Sequence, residues 1–102
     1  MTAAVINSIP IYIIGAGGIV NDAHLPAYKI AGFNVQGIFD INKDKATATA
    51  KKFSITQSFT QLQQMIAAAG STAVFDVAVP GSQTIPVLQQ LPNNAFVLLQ
   101  KK

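Results

Sequence analysis

Apolar residues along this chain switch between two spacings, short runs suited to strands and repeats at every third or fourth position. "IPIYII" (9–14) is a β-rich run ended by Gly15 and predicts a first strand. Apolar residues then recur at Ile19/Val20, Ala23, Ala27 and Ile30/Ala31, a helical period with Gly32 as its stop. "FNVQGIFD" (33–40) predicts a second strand. Asn42 is placed to cap a helix over 43–53, in which Ala46, Ala50 and Phe53 share a face. "TQSF" (56–59) reads as a short third strand. Thr60 then caps "QLQQMIAAA" (61–69), with Leu62, Met65/Ile66 and Ala69 on one face before Gly70. "AVFDVAV" (73–79) predicts a fourth strand closed by Pro80-Gly81, and "AFVLL" (95–99) a fifth. Between them, Ser82 caps a helix over 83–91, with Pro86 near its first turn.

Five strands joined by short helical connections imply right-handed crossovers. The expected fold class is α/β, a doubly wound parallel sheet with helices on both faces. Pro26 is the one local conflict. An unbroken helix from Ile19 to Ala31 would hold it in the interior, where it clashes and removes a hydrogen bond. A break near His24-Leu25 is therefore expected, with Pro26 starting a second helical piece. At 102 residues the chain is one domain, without repeats or an interdomain linker.

Composition sharpens this picture. Half of the residues are apolar and only 11% are charged, which suits strands buried on both faces. No apolar run approaches the roughly 20 residues that span a bilayer, and the N-terminus lacks a basic signal-peptide region, so a cytoplasmic protein is expected. Cysteine is absent, which removes disulfides and thiolate zinc sites. The formal charge of +3 comes from lysines alone. Lys43, Lys45, Lys51 and Lys52 read as one solvated helix face, and base readout leans on arginine, so no nucleic-acid partner is expected.

The chemistry lies in "IIGAGGIVND" (13–22), a glycine turn between a strand and a helix. Gly15 allows the sharp turn, and Gly17 lets backbone approach a pyrophosphate with no Cβ in the way. Backbone N–H groups of Gly18, Ile19 and Val20 would point at the phosphates from the helix start. Val20 stands where the G-x-G-x-x-G spacing wants a third glycine. That glycine serves helix–strand packing, so valine implies a slightly wider approach of helix and sheet, not loss of the site. Asp40 ends the second strand 20 residues further on, where a carboxylate accepts the hydroxyls of an adenosine ribose and repels a 2′-phosphate. The competing reading makes Asp40 an Asx residue that starts the next turn. Strand, glycine turn, helix, strand and acid together point to NAD, and Lys43 leaves NADP open.

"GAGGIVNDAHLPAYKIAGFNVQGIFDIN", "VFDVAVPGSQ" and "FVLLQK" resemble, in order and spacing, the N-terminal half-domain of the Gfo/Idh/MocA oxidoreductases. "HLPAY" after the glycine turn is a more specific marker than the glycines. The resemblance implies a Rossmann-like, NAD(P)-binding domain. It makes residues 1–102 the dinucleotide-binding part of a longer, homo-oligomeric parent, whose C-terminal substrate domain lies outside this sequence. That parent would pass a hydride between the nicotinamide and a sugar, cyclitol or related polyol.

The family's "P-x-S-x-H" segment lines the nicotinamide side. Pro80 and Ser82 match it, and Thr84 takes the histidine slot. Lys101 falls on the catalytic lysine of "E-K-P", with Gln100 for the glutamate and Lys102 for the proline. His24 falls in the "HLP" turn beside the cleft, in a packing or capping role. Asp76, inside a buried-looking strand, needs a hydrogen-bonding partner. The alternatives are a stand-alone NAD(H)-binding regulatory module and a Rossmann-like interaction domain with a vestigial site.

Overall fold

In a computed structural model describing residues 9–93 and 95–99, strand β1 (Pro10–Ile14) occupies the middle of the sheet. The other strands are β2 (Asn34–Phe39), β3 (Gln57–Phe59), β4 (Val74–Val77) and β5 (Phe96–Leu99). Their spatial order is β3-β2-β1-β4-β5, and every neighbouring pair is parallel. The chain therefore winds outward in one direction through β3, then returns past β1 to build β4 and β5. That reversal puts the C-terminal ends of β1 and β4 side by side, where doubly wound sheets hold their ligands.

Alternation along β1 divides the core. Ile11 and Ile13 face one side, with Val20, Leu25, Ile38, Ala50 and Ile55. Tyr12 and Ile14 face the other, with Leu62, Met65, Phe75, Val77 and Val87. A parallel sheet needs both faces covered, and helices α2 (Lys43–Phe53), α3 (Leu62–Ala69) and α4 (Gly81–Gln90) supply most of that cover. β1 and β2 slip by one residue between Ile11 and Tyr12, which sets Gly37 opposite Tyr12. A Cβ there would lie 2.8 Å from the Phe59 ring and 2.9 Å from the Tyr12 ring, so glycine is what lets these rings close over the strand.

The break at Pro26 takes a specific form. Residues Val20–His24 make a π-helical turn, closed by the Leu25 N–H on the Val20 carbonyl, and α1 (Leu25–Ala31) follows with proline in its first turn. The wider turn absorbs the hydrogen bond that Pro26 cannot make. It also moves the buried face. Val20 and Leu25 are buried and Tyr28 packs against them, whereas the expected Ala23, Ala27, Ile30 and Ala31 are exposed. An α-period starting at Val20 returns after three or four residues, and the π turn delays the return to five. Gly32, at φ 75°, ends α1 as expected.

Asn42 caps α2 through its Oδ1, which accepts the Asp44 and Lys45 N–H groups at 3.1 and 3.2 Å. The expected caps at Thr60 and Ser82 do not form. α3 starts after an extended Gln61, and α4 starts at Gly81, where the Pro80 carbonyl accepts the Gln83 N–H at 2.8 Å. Pro86 consequently sits inside α4 rather than in its first turn. β5 also departs from the doubly buried expectation. It is an edge strand, with Phe96 64% and Leu98 50% exposed.

Candidate functional site

The glycine turn leaves β1 at the sheet reversal, and two contacts shape it. The Gly15 N–H donates to the Phe39 carbonyl at 2.7 Å, while the Ala78 N–H donates to the Ile14 carbonyl at 2.9 Å. Gly15 has φ 116°, and a Cβ there would lie 2.4 Å from the Ala78 carbonyl oxygen. The close approach of the turn to the end of β4 thus demands glycine. Gly17 differs. A Cβ on it would meet nothing within 4 Å, and it opens onto a cleft of about 780 Å³ over the C-terminal strand ends. The space around Gly17 thus does not by itself require glycine.

Gly15, Gly17, Asp40 and Pro80 line this cleft together. Gly18 lines a smaller neighbouring groove with Lys45 and Lys52, while Ile19 lines neither. Val20 is wholly buried beneath the turn, filling the packing slot of the third motif glycine. Ser82 is exposed on α4 and does not line the cleft, and Gln83 takes that place. Gln100 and Lys101 lie outside the described residues.

Asp40 binds the turn as well as the cleft. Its Oδ2 accepts the Ala16 N–H and its Oδ1 the Asn42 N–H, each at 2.7 Å. The Asx bond expected of the competing reading is therefore present. A carboxylate has about four acceptor positions, so two remain for a ligand. Asn21, overlooked in the sequence, tightens the same region. Its Nδ2 donates to the Gly17 and Ala16 carbonyls at 2.9 and 3.2 Å, and its Oδ1 accepts the Thr49 hydroxyl at 3.0 Å. The only sequence signal for this is its place four residues after Gly17. Lys45 is exposed like Lys43, Lys51 and Lys52, and it also lines the cleft.

Asp76 finds partners on the first helix. Its Oδ2 lies 2.8 Å from His24 Nδ1 and accepts the Tyr28 hydroxyl at 2.6 Å, and its side chain is 1% exposed. Burial first, then the hydrogen bond to Asp76 and its charge, hold the Tyr28 phenol protonated well above its ordinary range. The π turn makes the set possible by rotating His24 and Tyr28 towards β4. These three residues lie on the α1 side of the sheet and none lines the cleft. They fasten the π turn and α1 to β4. Among the described residues no His, Cys, Asp and Glu cluster could hold a metal ion.

A glycine turn, an acid at the end of β2 and a cleft at the sheet reversal define a doubly wound dinucleotide-binding domain. Over residues 9–101 the chain matches the model of the oxidoreductase family with an NAD-binding Rossmann fold, GFO_IDH_MocA, and it belongs to that family. No curated protein sequence matches it. Among solved structures, an oxidoreductase from Thermotoga maritima superposes with a TM-score of 0.82 at 21% identity, covering 91% of this chain and 29% of that one. The WlbA dehydrogenase from Chromobacterium violaceum, in complex with NADH and UDP-GlcNAcA, gives 0.77 at 18% identity, covering 93% and 28%. A 3-ketoreductase from Actinomadura kijaniata, in complex with TDP-benzene and NADP, gives 0.70 at 19%, covering 93% and 30%. At these identities the likeness shows the fold, and the chain spans less than a third of each protein's length.

Proposed function

We propose that this chain is the cofactor-binding domain of an oxidoreductase that moves a hydride between a nicotinamide cofactor and a sugar, cyclitol or related polyol. The observation that carries it is Gly17, which lines the cleft with Asp40 and whose Cβ would meet no protein atom within 4 Å. A pyrophosphate fits over this residue, facing the first N–H groups of the helix that begins at Gly18, Ile19 and Val20. Asp40 accepts ribose hydroxyls with the lone pairs that the Ala16 and Asn42 N–H groups leave free. Its charge disfavours a 2′-phosphate, so NAD is the preferred form. Lys45 on the cleft, two residues past Lys43, is what admits NADP.

Bound there, the nicotinamide supplies the hydride acceptor or donor. This chain's residues bind and orient it. Pro80 and Gln83 border the cleft, and the family resemblance gives Gln100 and Lys101 to the nicotinamide side, with Lys101 orienting the substrate oxygen. A substrate carbon has to be held about 3–3.5 Å from the reacting ring, which requires walls from the remainder of a longer parent. The UDP-GlcNAcA bound to the solved WlbA dehydrogenase supports the polyol class.

Titration calorimetry tests the cofactor reading. NAD(H) should bind more tightly than NADP(H), and Asp40→Asn should narrow that preference. Absence of NAD binding, or a preference for NADP in the unaltered chain, overturns it. NADH formation on a panel of sugars and inositols tests the reaction. The 102-residue chain should give none, and in the parent Lys101→Ala should depress turnover.

A further inference from the structure

A peptide backbone attracts a pyrophosphate only where its N–H groups face it, and the peptides around Gly17 and Gly18 are the freest to turn over. Neither residue has a Cβ, so little steric hindrance opposes reversal. A reversed peptide would present a carbonyl oxygen to a phosphate oxygen, replacing attraction with repulsion.

Asn21, in the π turn, removes that freedom. Its Nδ2 donates to the Ala16 carbonyl at 3.2 Å and to the Gly17 carbonyl at 2.9 Å, which occupies both amide hydrogens. The Gly17 carbonyl also accepts the Asn21 backbone N–H at 3.1 Å. In a trans peptide the C=O and N–H point to opposite sides, and no peptide among the described residues is cis. Two carbonyls held towards Asn21 therefore turn the Gly17 and Gly18 N–H groups away from it. Asn21 lies off the main cleft, on the smaller groove, whereas Gly17 borders both.

The Asn21 amide is oriented in its turn. Carbonyls only accept, so Nδ2 must face them, and Oδ1 is left to accept the Thr49 hydroxyl at 3.0 Å. Thr49 is buried on α2 and does not line the main cleft.

We propose that Asn21 is a positioning residue for the cofactor phosphates, held in register by Thr49, which keeps the N–H groups of Gly17 and Gly18 turned to the ligand. The inference rests on the dinucleotide reading and deepens it, from a site to the side chains that aim its donors.

Calorimetry with NAD on the 102-residue chain tests it. Asn21→Leu should bind NAD about 10- to 100-fold more weakly, the range for one hydrogen bond to a charged group. Thr49→Val, which keeps the shape and removes the hydroxyl, should weaken binding about 5- to 10-fold. Thr49→Ser, which restores the hydroxyl, should return most of that affinity. Amide NMR at saturating NAD supplies a reading that loosened packing would not move. The Gly17 and Gly18 amide protons should shift downfield in the unaltered chain and in Thr49→Ser. Asn21→Leu should lose those shifts, while the amide of Ile41, elsewhere on the cleft, still responds. Melting curves identify the folded variants, and the Thr49 pair carries the test if Asn21→Leu does not fold. Unchanged NAD affinity in Asn21→Leu overturns the proposal and leaves the dinucleotide reading standing. Unchanged affinity in Thr49→Val, or equal loss in Thr49→Val and Thr49→Ser, removes Thr49 from its role. Absence of NAD binding by the unaltered chain overturns both readings.

Discussion

Gly15 and Gly17 look alike in the sequence and do different work. Gly15 is held at φ 116° with the Ala78 carbonyl where its Cβ would be, so Gly15→Ala is strained by conformation and by contact. The conformation alone costs about 1–3 kcal/mol. Gly17→Val meets no protein atom at its Cβ, so its melting temperature should stay near that of the unaltered chain while dinucleotide binding is lost. Calorimetry with thermal melts on both variants checks the division. Loss of stability in both, with binding retained in the second, would contradict it. Tyr28 yields a prediction of another kind. Its folded-state pKa is raised, so the stability it contributes is present below the unfolded value of about 10 and fades as pH climbs towards the folded value. Tyr28→Phe should flatten that alkaline loss relative to the unaltered chain in denaturant titrations above about pH 10.

At the scale of elements the π turn decides most. Pro26 announces a break but not its form, and the extra residue per turn is what buries Leu25 and packs the half-buried Tyr28 against the core instead of Ala23 and Ala27. Val20 begins that turn and is wholly enclosed by the core on the α1 and α2 side. Val20→Gly therefore removes a buried side chain and adds a flexible helix residue, for about 2–4 kcal/mol. Affinity for NAD should stay within a few-fold wherever the variant remains folded. Urea unfolding monitored by circular dichroism, alongside calorimetry below the transition, separates the two effects. Equal loss of affinity and stability would mean that the slot serves the ligand as well as the packing.

For the molecule as a whole, the uneven cover of the sheet matters. β1 and β4 are enclosed, whereas β5 is an edge strand with Phe96, Leu98 and Leu99 exposed. An unpaired edge with apolar side chains is a template for association. The 102-residue chain should therefore sediment with increasing average mass as its concentration rises. Phe96→Lys with Leu98→Lys should suppress the increase, and an unchanged concentration dependence would place the contact elsewhere.

Much of this architecture was legible from residues alone, because it rests on local rules. The α2 limits at Lys43 and Phe53 follow from the Asn42 cap and the alanine face, and the strands follow from short apolar runs punctuated by glycine and proline. Their parallel order follows from the length and hand of the crossovers. The glycine turn and Asp40 were readable for the same reason, since motif, strand end and spacing lie within one βαβ unit. What the sequence could not decide depends on residues far apart in the chain. The bond of Asp76 to His24 and Tyr28 spans about fifty positions and needs the rotated helix face. The cleft wall formed by Gln63 and Gln90 needs two helices brought together by the sheet. Ser82 and Gln83 differ by one step in sequence, yet only Gln83 reaches the cleft, because the start of α4 at Gly81 sets which face of that helix turns inward. Local propensity determines which elements form, and tertiary packing determines which side chains meet.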